Sequence, residues 1–305
     1  MVGEARHLLG DQTSARHHFE QVLTYYAASD HGRNVVRIQD VIRYGADLRV
    51  SARMYMARVL WLEGFPNQAM RTAEMSIDEA QATGHATSLC YALALAACPI
   101  ALWIGNLATA AHYTGMLLAQ SRQHSMPHWA DFGARFRTIV ILKGADIDTE
   151  ARLLPTHDHN YTVPHLSFPF LTGLTELAEA LGDAGRIAEA LAVVEGIEPS
   201  KAGWLTPELF RVKGKLLLLQ STSAVAEAAE DLFRQALDGA RRQETLSWEL
   251  RAATSLARLL RQQGHSDDAV AVLRPVYNRF TEGFGTADLV AAKQLGGELG
   301  APDHD

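Results

Sequence analysis

The feature that most constrains the fold is a recurring pair of small residues, a glycine followed five residues later by an alanine. The pair occurs at Gly10/Ala15, Gly64/Ala69, Gly105/Ala110, Gly185/Ala190 and Gly264/Ala269. Glycine readily adopts the left-handed backbone conformation that ends many helices, and an early alanine lets the next helix cross closely. The pattern therefore predicts pairs of helices joined by tight turns.

The even spacing of the turn glycines predicts a structural repeat. Gly64, Gly105, Gly144 and Gly185 follow one another at nearly equal intervals, which gives a period of about 40 residues. Gly264 follows Gly185 at about twice that interval. We expect one unit to have lost its glycine, with Ala224 near its turn. A larger residue stands four positions after the small one at Phe19, Phe233 and Leu273.

Small residues at fixed offsets in paired helices resemble the tetratricopeptide repeat, whose usual period is about 34 residues. The units in this chain are longer, so we expect longer helices and inter-repeat loops. A single helical hairpin cannot bury its apolar face alone, and stacked neighbours supply the missing partner. The predicted fold is all-α, a right-handed α-solenoid of about six or seven tetratricopeptide-like hairpins.

We expect one helical-repeat domain over residues 1–305. The N-terminus looks like the last turns of a helix that begins earlier, and so like part of a longer protein. Gly10 and Gly64 lie further apart than one period, which indicates an insertion between them. The predicted segments are a truncated first repeat (1–29), an irregular insertion (30–50), N-terminal repeats (51–154), a loop or hinge (155–168), C-terminal repeats (169–282) and a capping helix (283–299).

Composition restricts the location and the partners. The 305 residues are 48% hydrophobic and 21% charged, so the chain can bury a sizeable core. A net charge of −7 argues against direct nucleic-acid binding by the chain as a whole. No signal-peptide pattern and no run of about 18 apolar residues is evident, so we expect a cytoplasmic protein without membrane contact.

Cys90 and Cys98 are the two cysteines of the chain, and they stand eight positions apart on one predicted apolar helix. That spacing separates them by about 12 Å along the helix axis. A disulfide between them is geometrically implausible, and we expect two buried thiols.

Catalytic motifs do not emerge from the sequence, so we predict a non-enzymatic chain without a cofactor. Gly214-Lys215 lacks the upstream glycine and the following hydroxyl residue of a phosphate-binding loop. No nucleophile elbow, no zinc-binding helix and no paired-cysteine metal signature is evident. His157, His159 and His165, with Asp158, could form a metal site. A polar surface loop is the preferred interpretation of that segment.

Candidate binding residues follow from the helix register. In tetratricopeptide-like arrays the first helix of each pair lines a concave groove, and counting back from each turn glycine gives the side chains expected there. They are Met54, Arg58, Trp61, Leu95, Trp103, Asp131, Thr175, Glu179, Arg251, Thr254, Arg258 and Arg261, with Arg211 and Lys215 if the weaker fifth unit is in register. Aromatic and arginine residues anchor many interfaces. The alternative is that Trp61 and Trp103 pack between neighbouring helices.

The insertion supplies a second set of candidates. It is rich in arginine, and its candidate binding residues are His31, Arg33, Tyr44 and Asp47. The alternative interpretation is a solvated connector between repeats.

Three segments resemble a known family. They are His31-Gly32-Arg33, Tyr44-Gly45-Ala46-Asp47 and the stretch LWLEGFPNQA at 60–69. The C-terminal stretches WELRAATSLARLLRQQG and VYNRFTEGFGTADLVAAKQL add to the likeness. Together they resemble the C-terminal repeat region of large bacterial multidomain signalling ATPases, of the cyclase-linked or winged-helix type. The chain departs from the family pattern at Leu48-Arg49, where Pro-Gly is expected, and in its shortened third unit.

The resemblance implies a sensor or scaffold arm whose ATPase, cyclase or DNA-binding domains lie elsewhere in the full-length protein. We therefore expect a module that binds a protein, a peptide or a small effector in its groove. The alternative is an oligomerisation scaffold, a possible homodimer, without a groove ligand. An enzyme that uses the histidines of 157–165 is a more distant third hypothesis.

Overall fold

A computed structural model of the chain describes residues 2–28, 41, 45–144, 171–199, 202–220 and 225–300. Within those residues the protein is all-α and contains fourteen helices, counting one interrupted helix as a single element. The first seven are α1 (Val2–Leu8), α2 (Gln12–Ala28), α3 (Leu48–Leu62), α4 (Pro66–Thr83), α5 (Ala86–Trp103), α6 (Leu107–Gln123) and α7 (Pro127–Gly144). The other seven are α8 (Thr172–Asp183), α9 (Ile187–Glu195), α10 (Thr206–Leu218), α11 (Val225–Arg242), α12 (Leu246–Gln262), α13 (Ser266–Tyr277) and α14 (Ala287–Gly300).

The chain divides into two compact units. The first comprises Met1–Trp61 and Pro66–Gly144, and the second comprises Leu62–Phe65 and Ala145–Asp305. Within each unit, helices that follow one another in sequence pack as hairpins, for example α1 with α2, α6 with α7, and α12 with α13. The predicted all-α class and its paired helices are confirmed.

The turns between paired helices repeat one hydrogen-bond pattern. After α12, Gly264 has a φ of 84°, and its N–H donates to the Arg261 carbonyl at 3.0 Å. The next N–H, of His265, donates to the Leu260 carbonyl at 2.9 Å. This pair of bonds satisfies carbonyls that the helix end leaves open. Gly10, Gly105 and Gly185 make the same two bonds with their following residues.

Two further turns have the same hydrogen bonds without a glycine. Ser125 precedes α7 with a φ of 53°, and Glu244 precedes α12 with a φ of 55°. These turns carry no glycine signal, so the sequence pattern could not find them. The turn expected near Ala224 and the expected hinge at 155–168 lie outside the described residues.

The alanines five residues after the turn glycines are fully buried. Ala15, Ala69, Ala110, Ala190 and Ala269 each have 0% exposure. Phe19 and Leu273, one helical turn after Ala15 and Ala269, are buried as well, and so is Phe233, one turn after the buried Ala229. A methyl side chain at the first position allows close helix contact, and the larger residue fills the space beside it.

Helix α5 is interrupted near Pro99. Its regular turns Ala86–Ala92 and Cys98–Trp103 flank a π-helical turn at Leu93–Ala97. Proline has no N–H and clashes with the preceding turn of a regular helix. The wider turn relieves that conflict. Both cysteines of this helix are free and buried, as predicted.

Helix α5 is also the one helix of the described residues that is long and apolar enough to cross a membrane. Its mean hydropathy is 1.7 over 18 residues, and 78% of it is buried within the protein. Packing against α4 and α6 accounts for its apolar surface. A buried core helix passes the same test of length and composition.

In the second unit, α11 to α14 share one apolar core. Phe233 of α11, Leu250 and Leu256 of α12, Leu273 of α13 and Leu289 of α14 are all buried in it. The apolar residues of α12 recur every three or four positions, which places them on one face of the helix. This core fixes α14 beside α12.

Candidate functional site

A buried network of charged side chains connects α8, α10 and α12 in the second unit. Arg211 of α10 donates from its two terminal nitrogens to the two carboxylate oxygens of Glu179 on α8, each at 2.9 Å. Arg211 also donates to Glu208 on its own helix at 2.7 Å. Paired bonds between a guanidinium and a carboxylate fix both groups in orientation as well as in charge.

Arg251 of α12 extends this network to the last helix. It donates to Glu176 on α8 at 3.0 Å, to Glu208 at 2.9 Å and to Asp288 on α14 at 2.8 Å. Its guanidinium carbon lies 5.2 Å from the centre of the Trp248 ring. One side chain thus joins three other helices.

Lys215 is a partly exposed member of the network. It donates to Glu179 at 2.9 Å and lies 2.8 Å from Asp183, and its side chain is 31% exposed. It therefore borders the solvent where Arg211 and Arg251 do not.

Electrostatics favour the charged form of both buried arginines. Burial alone would lower the pKa of Arg211, but the carboxylates of Glu179 and Glu208 outweigh it and raise that pKa well above its usual value. The pKa of Arg251 is raised in the same way, against burial, by Asp288, Glu208 and Glu176. The two guanidinium groups are therefore cations at neutral pH.

Three of these carboxylates lie close enough to share a cation. Oxygen atoms of Glu176, Glu179 and Glu208 all lie within 4.8 Å of one another. Arg211 and Arg251 already hold all three carboxylates. We therefore interpret the group as an ion-pair network that joins helices.

An open cavity of about 500 Å³ lies between α12 and α14. Its lining residues are Arg258, Arg261, Gln262, Ala291, Gln294, Leu295 and Glu298. The side chain of Arg258 is exposed and forms no ion pair or hydrogen bond with another described residue. The guanidinium of Arg258 is therefore a positive charge at the cavity that no other described side chain neutralises.

Arg261 is held in place at the same cavity. It forms an ion pair with Glu298, whose second oxygen accepts a bond from the Gln294 amide at 3.2 Å. Ala291 and Leu295 give the cavity an apolar part. Charged, amide and apolar groups thus face one space.

Most groove candidates of the first unit lie in the protein interior. Met54, Arg58, Trp61 and Trp103 are each at most 2% exposed. Every residue from Met54 to Leu62 is buried, so these side chains do not face an open groove. The rings of Trp61 and Trp103 lie 4.4 Å apart between their centres, which is the packing alternative considered for this pair.

Arg58 lies in a buried polar cluster near the N-terminus. Its guanidinium carbon is 5.8 Å from the centre of the Tyr55 ring, and the Tyr55 hydroxyl donates to Glu4 at 2.6 Å. Burial lowers the pKa of Arg58 to about 10, while Tyr55 and Glu4 oppose that effect. The bond from Tyr55 to Glu4 joins α3 to α1, and Arg58 lies in the interior beside it, away from the surface.

The remaining candidate binding residues do not lie together at one site. Asp131 is exposed on α7. Asp47 is buried, and its carboxylate accepts from the N–H groups of Arg49 and Val50, so it caps the start of α3. Its own N–H donates to the Ser88 hydroxyl at 3.0 Å. His31, Arg33 and Tyr44 lie outside the described residues, as do the histidines at 157–165.

Sequence reasoning missed the contribution of α14. The register predicted Arg258 and Arg261, but α14 was expected only to cap the array. Its residues Ala291, Gln294 and Glu298 recur at helical spacing and face the cavity. That spacing was the available signal, and it required pairing with α12 to be recognised.

No protein family matches the sequence of the chain. A search among curated proteins found no match either.

Proposed function

We propose that this chain is a non-catalytic binding module that presents a ligand site on a scaffold of paired helices. The observation that carries the proposal is the cavity between α12 and α14. It combines an accessible arginine, Arg258, with an arginine held in place, Arg261. The volume of about 500 Å³ lies in the range typical of small-molecule sites.

The proposed architecture is a right-handed α-solenoid of six or seven tetratricopeptide-like hairpins, in one domain with a period of about 40 residues. Support comes from the turn hydrogen bonds repeated at Gly10, Gly105, Gly185 and Gly264 and from the buried alanines after them. In such arrays each hairpin buries its face on its neighbours, and the surface remains available for binding.

The proposed biological setting is the sensor or scaffold arm of a cytoplasmic bacterial signalling or transcriptional regulator. The supporting observation is the sequence resemblance at 60–69 and in the C-terminal stretches. In this setting, occupancy of the arm by a protein, peptide or small effector is passed to an ATPase, cyclase or DNA-binding domain elsewhere in the protein. Membrane and direct nucleic-acid binding are not part of the proposal.

Native mass spectrometry tests the proposal, with the denatured mass as reference. The expected result is a monomer that carries additional non-covalent mass or gains it from a cell extract of small molecules. That additional mass should disappear from a variant in which Arg258 and Arg261 are both replaced by Gln. A bare chain that gains no mass from such an extract, and no mass from a protein extract, would overturn the binding function.

The alternative function is an oligomerisation scaffold. The observation that favours it is exposed apolar surface on α1, where Val2 is 61% exposed and Leu9 is next to the helix at 75%. Light scattering over a concentration series distinguishes the two functions. A stable dimer that the change Leu9→Glu dissociates would support the scaffold and contradict the monomeric binding module.

A further inference from the structure

The cavity between α12 and α14 has a distinct chemical character. Two arginines and two glutamines line it together with one carboxylate, that of Glu298. Because Glu298 already pairs with Arg261, the positive charge of Arg258 is left to attract an anion. Positively lined concave surfaces raise the local concentration of anions.

The two arginines are spaced to act together. Arg258 and Arg261 lie three residues apart on α12, so their side chains project from the same face of the helix. A guanidinium forms paired hydrogen bonds with the planar oxygens of a carboxylate or with the oxygens of a phosphate. An oxyanion placed between the two side chains would therefore contact both.

The uncharged lining residues indicate that the ligand has an organic part besides its oxyanion. Gln262 and Gln294 offer amide groups, and Ala291 and Leu295 offer apolar contact. A free inorganic ion would use only the charged part of such a lining. The volume of about 500 Å³ leaves room for an organic body attached to the oxyanion.

We propose that Arg258 and Arg261 form the binding site for a small organic oxyanion, a carboxylate or phosphate attached to a compact apolar body. This inference rests on the proposed binding function and names the class of ligand. Arg258 makes the primary contact with the oxyanion. Arg261, oriented by Glu298, makes the second, while Ala291 and Leu295 contact the apolar body.

Ligand-observed NMR on the full chain tests this site with three probes of similar size. Benzoate carries a carboxylate, phenyl phosphate carries a phosphate, and benzyl alcohol carries no charge. We expect saturable binding of at least one anion and much weaker binding of the alcohol. The ratio of the two anion affinities identifies which oxyanion the site prefers. Equal binding of the alcohol, or no saturable anion binding, would overturn the proposal.

Charge variants locate the binding. Arg258→Gln should weaken anion binding by about ten-fold or more, since a charge-assisted hydrogen bond is lost. The matched control is Arg242→Gln, an exposed arginine of α11 outside the cavity, and it should leave binding unchanged. Equal weakening by both variants would mean that only the general charge of the protein attracts the probe, which contradicts the proposal.

Removing a negative charge at the cavity should have the opposite effect on anion binding. Glu298→Gln keeps a side-chain oxygen that can accept a hydrogen bond from Arg261 but removes the negative charge that competes for it, so anion binding should become about two- to five-fold tighter. Asp238→Asn on α11 changes the net charge equally, away from the cavity, and should have no such effect. Raising the salt concentration from about 0.1 M to about 1 M should weaken binding, because the Debye length falls from about 10 Å to about 3 Å.

Failure of this inference can be distinguished from failure of the binding function. If the variant without Arg258 and Arg261 still gains non-covalent mass, the chain binds a ligand elsewhere and only the oxyanion site is overturned. Circular dichroism of each variant establishes that it is folded. The ion pair of Arg261 lies at the surface, with side-chain exposures of 45% and 39%, so its removal should leave the fold in place.

Discussion

Both terminal nitrogens of Arg211 bind the two carboxylate oxygens of Glu179, each over 2.9 Å, and thereby join α10 to α8. Arg211→Met would leave the carboxylates of Glu179 and Glu208 buried with one cation fewer. Removal of one partner of a buried ion pair destabilises a protein by about 3–5 kcal/mol. We expect a loss of that size in the free energy of unfolding, measured with urea.

The matched control for this prediction is Arg234→Met. Arg234 forms an exposed ion pair with Glu230, and its side chain is 52% exposed. Such pairs contribute less than about 1 kcal/mol. If Arg211→Met were no more harmful than Arg234→Met, the network would not hold α8 and α10 together.

His7 should make the stability of the first unit sensitive to acid. Burial, and then the nearby charge of Arg58, hold the pKa of His7 well below its usual value, although a bond to Gln12 opposes them. The unfolded chain then binds more protons than the folded chain below about pH 6.5. The contribution of His7 to the free energy of unfolding is therefore fully present above that pH, and it is lost as the pH falls toward the lowered pKa of the folded state.

Urea unfolding at about pH 7.5 and about pH 5.5 measures this effect, with a limit of about 1.4 kcal/mol per pH unit for one group. The reference is His7→Gln, which keeps a polar side chain beside Gln12 but cannot take up a proton. The wild-type protein should lose more stability on acidification than this variant. Equal losses would show that His7 does not govern the response.

Replacing a glycine by alanine should change the stability in opposite directions at Gly264 and Gly296. Gly264 has a left-handed φ of 84° with open space around it, so Gly264→Ala adds backbone strain alone. The expected loss is about 1 kcal/mol. Gly296 lies within α14, also beside open space, and Gly296→Ala should add up to about 1 kcal/mol of stability. Thermal unfolding of both variants measures the two effects, and shifts of the same sign would contradict the assignment of the turn.

The two thiols should be unreactive in the folded protein. Burial raises the pKa of Cys90 to about 11 and that of Cys98 to about 12, although a hydrogen bond from Thr114 slightly opposes the shift at Cys98. The thiolate is the reactive form, and little of it exists at about pH 8 under these conditions. Mass spectrometry after treatment with iodoacetamide should show no label in buffer and two labels in urea. Rapid labelling in buffer would mean that α5 opens readily.

The turns could be predicted from sequence because their chemistry is local. A glycine such as Gly264 supplies the left-handed conformation, and the alanine five residues later is constrained by the same hairpin. Ser125 and Glu244 form equivalent turns that could not be predicted, since the surrounding packing imposes the conformation on ordinary residues. Sequence patterns therefore identify the hairpins that have a turn glycine and miss those that do not.

The binding residues were harder to predict, because exposure depends on elements distant in sequence. Helical register placed Trp61 and Arg258 on equivalent faces of α3 and α12. The structure buries Trp61 and leaves Arg258 open to the cavity. The stretch from Met54 to Leu62 is mostly apolar, and helices that are apolar all round are generally buried. For α3 this apolar composition decides burial more than the helical register does. The cavity residues are a different case, because the ion pair between Arg261 and Glu298 needs a contact between two helices that are separated in the sequence.

The π-helical turn at Leu93–Ala97 has a consequence for how α5 can evolve. One additional residue in a helical turn rotates everything after it by about 100° around the axis. Trp103 meets Trp61 in a register that includes this residue. Deleting Ala96 would remove that residue, turn Trp103 toward a different neighbour and return Pro99 to a turn of ordinary width, with which it clashes. The length of this segment, as much as its composition, is therefore under constraint.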